Sequence, residues 1–95
     1  MEISKEKLQE ILAAHEKWVL MLPGGKRADL RYADLTGVNL NNKNLQFALL
    51  TGARLKDASL READLSYACL DYAILKDADL TYKIPRCVFN IYEFT

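Results

Sequence analysis

Leu recurs at positions 30, 35, 40, 45, 50, 55, 60, 65, 70, 75 and 80 without a gap, and the residue two places earlier is small and apolar in ten of the eleven units. Only Lys43 breaks that second row, which otherwise runs from Ala28, Ala33 and Val38 to Ala78. A period of five fits neither ordinary element. On an α-helix at about 100° per residue, five steps turn each Leu by about 140° from the last and smear the row around the cylinder. On a flat strand, an odd spacing sends successive Leu side chains to opposite faces. Every Leu reaches one interior only if the chain bends once per unit, so that each pentapeptide forms one side of a closed coil. Leu and the small residue two before it then point inward together. Their alternating neighbours point outward and are mostly polar: Asp29, Asp34, Asn39, Asn44, Asp64 and Asp79 before the Leu, and Arg31, Thr36, Asn41, Lys56, Arg61 and Thr81 after it.

The pattern changes ahead of the repeat. Leu8, Ile11, Leu12, His15, Trp18, Val19 and Leu22 recur at steps of three and four, which predicts an amphipathic helix over residues 3–22. Ser4 suits the N-cap, Ile3 and Leu8 suit a hydrophobic staple, and Pro23-Gly24-Gly25 is the expected stop. Solenoid ends need covers. The helix is therefore expected across the N-terminal end of the coils, with Trp18 as its largest contribution and His15 as a hydrogen-bonded packing residue. A helix that docks a partner is the competing reading.

The units Ala28-Asp29-Leu30, Ala33-Asp34-Leu35, Ala63-Asp64-Leu65 and Ala78-Asp79-Leu80 resemble the A(D/N)LXX signature of the pentapeptide-repeat proteins, and the resemblance extends over all eleven units. It implies a mainly β fold, a right-handed quadrilateral β-helix with four pentapeptides per coil. About 2.75 coils at a spacing of about 4.8 Å make a stack about 13 Å tall. Each residue then sits over the one twenty positions later. The expected organisation is a single domain over 1–95: a capping helix and turn over 1–25, the β-helix over 26–82, and a strand-like tail over 83–95.

The twenty-residue rule turns the sequence into a surface map. Gly37 and Gly52, two places after a Leu, suit corners that need positive φ. The same corner position also carries Tyr32, Phe47, Tyr67, Tyr72 and Tyr82. Phe47 falls under Tyr67 and Leu49 under Cys69, with Ile74 on the next side past Tyr72. These six residues are expected to form an apolar patch on a polar surface, and such patches mark contacts. The expectation is that the tail covers the patch or that a protein partner or second copy meets it, with a patch of no role as the remaining alternative. Lys43 occupies an inward position, where its stem could pack while the ammonium escapes or meets Glu10 or Glu16. Pro85 ends the repeat, and the Val-, Phe-, Ile- and Tyr-rich tail favours a strand that folds over the stack or pairs with a second chain.

Composition narrows the function. The 95 residues carry 13 basic and 13 acidic side chains, and the longest apolar run, Trp18 to Leu22, is far too short for a membrane span. No signal-peptide pattern opens the chain, so the cytoplasm is the expected compartment, with Cys69 and Cys87 as free thiols. There is no phosphate-binding glycine loop, no Cys/His cluster with metal spacing and no nucleophile with a base, so neither an enzyme nor a cofactor is expected. No face gathers the basic residues that nucleic-acid phosphates require. The leading reading is a protein-interaction module. The resemblance suggests a second one, inhibition of a gyrase-like or other DNA-handling enzyme by partial DNA mimicry, with Asp29, Asp34, Asp64, Asp71 and Asp79 as the acidic candidates. Residues 28 to 82 hold eight acidic and six basic side chains, a modest excess for a replica of DNA, which has one charge per about 1.7 Å.

Overall fold

The computed structural model describes residues 2–80; Thr81, Tyr82 and the tail expected over 83–95, with Pro85 and Cys87, lie outside the described residues. Helix α1 spans Lys5–Val19. Ser4 precedes it in extended conformation, and its Oγ accepts from the Lys7 amide at 3.0 Å, which satisfies one of the free donors of the first turn. Leu8 is buried, and Ile3, Ile11 and Leu12 pack against the same core.

The helix ends earlier than its apolar pattern suggests. Met21 takes a left-handed φ of 60°, the Leu22 amide donates to the Lys17 carbonyl at 2.8 Å and the Met21 amide to the Trp18 carbonyl at 3.1 Å. That pair of bonds is a Schellman closure formed without glycine. Leu22 therefore lies outside the helix and is half exposed. Gly25 does something other than stop the helix. A Cβ there would lie 2.4 Å from the Trp18 backbone nitrogen, so only glycine lets the chain double back against the helix end.

From Ala28 onward each unit repeats one course. From Leu30 to Leu75 the carbonyl of each repeat Leu accepts from the amide three residues on, as in Leu30 with Ala33 (3.2 Å), Leu50 with Ala53 (2.9 Å) and Leu75 with Ala78 (3.0 Å). From Leu30 to Leu75 the residue two after each repeat Leu has positive φ, which is the third position of a type II turn. Gly37 and Gly52 accept this freely, but Tyr32, Asn42, Phe47, Asp57, Glu62, Tyr67, Tyr72 and Asp77 also adopt it, at φ between 59° and 64°. Parallel bridges join Asp29 to Leu49 and Leu49 to Cys69, Asp34 to Arg54 and Arg54 to Ile74, Asn39 to Ser59 and Ser59 to Asp79, and Asn44 to Asp64. Every bridge spans twenty residues. The repeat region is a β-helix solenoid whose turns recur every five residues.

The core explains why the strained corners persist. From Leu30 to Leu75 every repeat Leu is at most 2% exposed, and the inward Ala residues from Ala28 to Ala73 are equally enclosed. Burying a Leu side chain contributes roughly 1.5–3 kcal/mol, which offsets about 1–2 kcal/mol for a left-handed residue at the corner that follows. Lys43 departs from its expected place. Its side chain is exposed rather than tucked into the inner row, while its carbonyl keeps register by accepting from the Asp64 amide at 3.0 Å. Among the described residues no ion pair joins it to Glu10 or Glu16. Trp18 packs elsewhere than the rest of the apolar stripe. It is only half buried and stands outside the leucine core, because the helix buries Leu8 and His15 and turns Trp18 toward a corner of the coil.

Candidate protein-interaction face

The corner residues form vertical columns because the bridges hold a twenty-residue register. One column carries Arg27, Phe47 and Tyr67, and the next carries Tyr32, Gly52 and Tyr72. The face between them presents Asp29, Leu49 and Cys69. Phe47 and Tyr67 stack with centroids 5.2 Å apart and planes 12° apart. Trp18 meets Phe47 edge-on at 6.3 Å, and the Arg27 guanidinium lies 5.6 Å from the Trp18 ring centre, within cation–π range. Arg27 Nε also donates to the Phe47 carbonyl. On the far column a Cβ at Gly52 would lie 2.5 Å from the Tyr32 ring, so the ring rests where glycine has left room. The rims stay open to solvent: Tyr32 is 63%, Phe47 41%, Tyr67 48% and Tyr72 58% exposed.

Leu49 and the free thiol of Cys69 lie half buried between these rims. Five of the six patch candidates, Phe47, Leu49, Tyr67, Cys69 and Tyr72, thus line or border one face. Ile74 lies around the Tyr72 corner, half buried and bridged to Arg54. Sequence reasoning left Arg27, Tyr32 and Trp18 out of the patch. Counting the register backwards by twenty places Arg27 beneath Phe47 and Tyr32 beneath Gly52, so that signal was present. No periodicity announces Trp18, whose place depends on how α1 docks.

His15 sets that docking. It is fully buried, its Nδ1 accepts from the Ala28 amide at 2.9 Å and its Nε2 lies 2.8 Å from the Gln46 carbonyl. An amide can only donate and a carbonyl only accept, so the ring is neutral with its hydrogen on Nε2. Burial holds its pKa below the usual 6.5; the Gln46 carbonyl opposes this and the charge of Arg27 adds to it. Ala28 follows Arg27 and Gln46 precedes Phe47. One imidazole therefore ties α1 to the backbone beside both lower members of the aromatic column, and Trp18 stacks on it at 5.5 Å.

Three of the five acidic candidates serve turns. Asp29, Asp34 and Asp64 each accept from the amide two residues on, at 3.3, 3.2 and 3.0 Å, and Asn39 and Asn44 do the same. These are Asx turns, which account for the Asp or Asn before Leu30, Leu35, Leu40, Leu45 and Leu65. Asp29 also pairs with Arg31 at 2.8 Å, and that hydrogen bond draws its pKa down to about 2. Hydrogen bonds from the Thr36 hydroxyl and amide lower that of Asp34. Asp79 lies 3.7 Å from Arg61. In the register, Asp29, Asp34, Asp79 and Asp64 occupy four different columns, and Asp71 shares its column with Arg31 and Thr51. They form no common stripe. Among the described residues no group of three or more His, Cys, Asp or Glu is placed to hold a metal ion.

The family model for pentapeptide repeats matches residues 26–42 and 44–81, in eight copies. With more than half of its length matched, the chain belongs to the pentapeptide-repeat family. The match is interrupted at Lys43 alone. Proteins of this family are generally protein-interaction or structural modules and generally non-enzymatic. Comparison with curated proteins gives no match. Among the described residues no helix is long and apolar enough to cross a membrane.

Proposed function

We propose that this protein is a non-enzymatic interaction module. In this reading eleven units, four to a coil, make a four-sided β-helix closed at its N-terminal end by α1, and the face between the Phe47/Tyr67 and Tyr32/Tyr72 columns takes a protein partner or a second copy. The twenty-residue bridges and five-residue turns support four sides. The observation that carries the function is the exposed aromatic rim around Leu49 and Cys69. Aromatic side chains give large contact area for little lost rotamer freedom and are enriched where proteins meet. Inhibition of a DNA-handling enzyme by mimicry has less support, because the candidate carboxylates are spread over separate columns and three of them, Asp29, Asp34 and Asp64, are engaged in turns.

A photo-reactive benzophenone side chain introduced at Tyr67 should yield a discrete higher-mass adduct on irradiation in cells, with another protein or with a second copy, while the same group at Glu62, on a different column, should not. Leu49→Asp should remove the Tyr67 adduct without unfolding the chain, since a carboxylate before the repeat Leu can close the turn as Asp64 does with Ser66. No adduct from Tyr67, or one that survives Leu49→Asp, would overturn the proposal.

A further inference from the structure

A second surface lies away from the aromatic face. Between the N-terminal half of α1 and the stretch from Gly37 to Lys43 runs an open groove of about 890 Å³. Its floor is apolar, from Ile3, Leu8, Leu12 and Val38, and its charged side chains are Lys5 and Lys43. No Asp or Glu lines it among the described residues, although the chain as a whole has as many acids as bases. Val38 is only half buried, whereas Ala58, stacked next to it in the row, is enclosed. The wall of the groove is also a backbone edge. One coil later the Ser59 amide donates to the Val38 carbonyl and the Asp64 amide to the Lys43 carbonyl. At Asn39 and Asn44 there is no earlier coil to receive the equivalent bonds, and α1 stands in its place.

Lys43 marks the groove from a second direction. It replaces the Ala of the repeat, it interrupts the family match, and its side chain emerges at the groove instead of filling the core. Core packing would favour Ala there. Cations beside an apolar floor instead suit an extended chain with carboxylates on one side and aliphatic groups on the other. We propose that this groove binds an extended peptide segment of a partner protein, lying between α1 and the Gly37–Lys43 stretch, with its acidic side chains on Lys5 and Lys43 and its aliphatic ones on the floor. Two lysines over an apolar floor favour such a peptide above a nucleic acid, whose phosphates need a denser basic surface.

The test uses the full chain labelled with nitrogen-15 and three probes: a pool of decapeptides alternating Asp or Glu with Val, Leu or Ile, the same pool with Lys for the acids, and a single-stranded DNA oligonucleotide. The acidic pool should shift the amide resonances of Gly37 to Lys43 and of Ile3 to Leu12. Lys43→Ala, which restores the residue of the repeat and should fold at least as stably, should weaken binding at least about threefold, and Lys43→Glu about tenfold or more. The proposal fails if millimolar acidic pool moves none of these resonances or only those of the aromatic face. It fails equally if the basic pool or the oligonucleotide binds as well, or if Lys43→Ala leaves the affinity unchanged. Because the groove and the Tyr67 face are separate surfaces, failure here leaves the cross-linking result to stand or fall by itself.

Discussion

His15 joins stability to pH through a single proton. Its Nδ1 must stay bare to accept from Ala28, so protonation breaks that bond and places a charge in a buried site beside Arg27. Its folded pKa lies below 6.5, so the unfolded chain takes the proton first. Stability from this group is therefore complete above pH 6.5 and is lost as pH falls from there toward the folded pKa. Urea denaturation should show the midpoint dropping between pH 7.5 and pH 5.5. His15→Leu should flatten that slope and lower stability by about 2–4 kcal/mol at pH 7.5, because the Ala28 amide and Gln46 carbonyl lose their partner. A slope that persists in the variant would place the titration elsewhere. Asp29 belongs to a different window: with its carboxyl at about 2, its contribution is present above the ordinary carboxylate pKa and lost only as pH falls toward 2.

At the scale of elements, each coil side is specified locally and the placing of α1 is not. The Leu row, the inward Ala row and the Asp or Asn that precedes six of the eleven Leu residues act within five residues, and for that reason the turn spacing is legible in the chain, while the twenty-residue stacking register comes from the family resemblance. Non-glycine residues at the corners were harder to read, since left-handed φ at Tyr32 or Glu62 contradicts local preference and is imposed by the neighbouring buried leucines. The end of α1 was misplaced because an apolar residue, Met21, closes the helix where Gly24 was expected. The contacts of Trp18 are not legible in the sequence, because its apolar character says that it is covered but not by what. The element junction has its own test at Gly25, where a Cβ would press 2.4 Å from the Trp18 amide nitrogen and 2.5 Å from its Cα. Backbone atoms cannot rotate away. Gly25→Ala should cost roughly 1–3 kcal/mol by forcing the turn off α1, with the Trp18 fluorescence of the native state altered. Gly37→Ala makes a useful contrast, since no atom lies within 4 Å of the added carbon and only its φ of 71° opposes the change.

The whole molecule is a short stack, and shortness decides how it should unfold. In a long solenoid each repeat feels mainly its neighbours, and loss of one layer can remain local. Here Leu55 sits in a middle layer, because its neighbour Arg54 bridges Asp34 on one side and Ile74 on the other. Truncating it removes contacts to both adjoining layers, and the enclosed site has no side chain free to fill the space. Leu55→Ala should therefore cost about 3–5 kcal/mol, a large part of the 5–15 kcal/mol that typically separates folded from unfolded domains. The lone tryptophan, Trp18, lies on α1 and contacts Phe47, so its fluorescence reports helix docking while far-ultraviolet circular dichroism reports the coils as well. His15, bonded to Ala28 and Gln46, couples the two regions. Both signals should keep a common midpoint in the parent and move together in Leu55→Ala. If fluorescence held its midpoint while the dichroism signal moved, α1 and the coils would be separate cooperative units, and the imidazole would fasten the helix without transmitting the stability of the core.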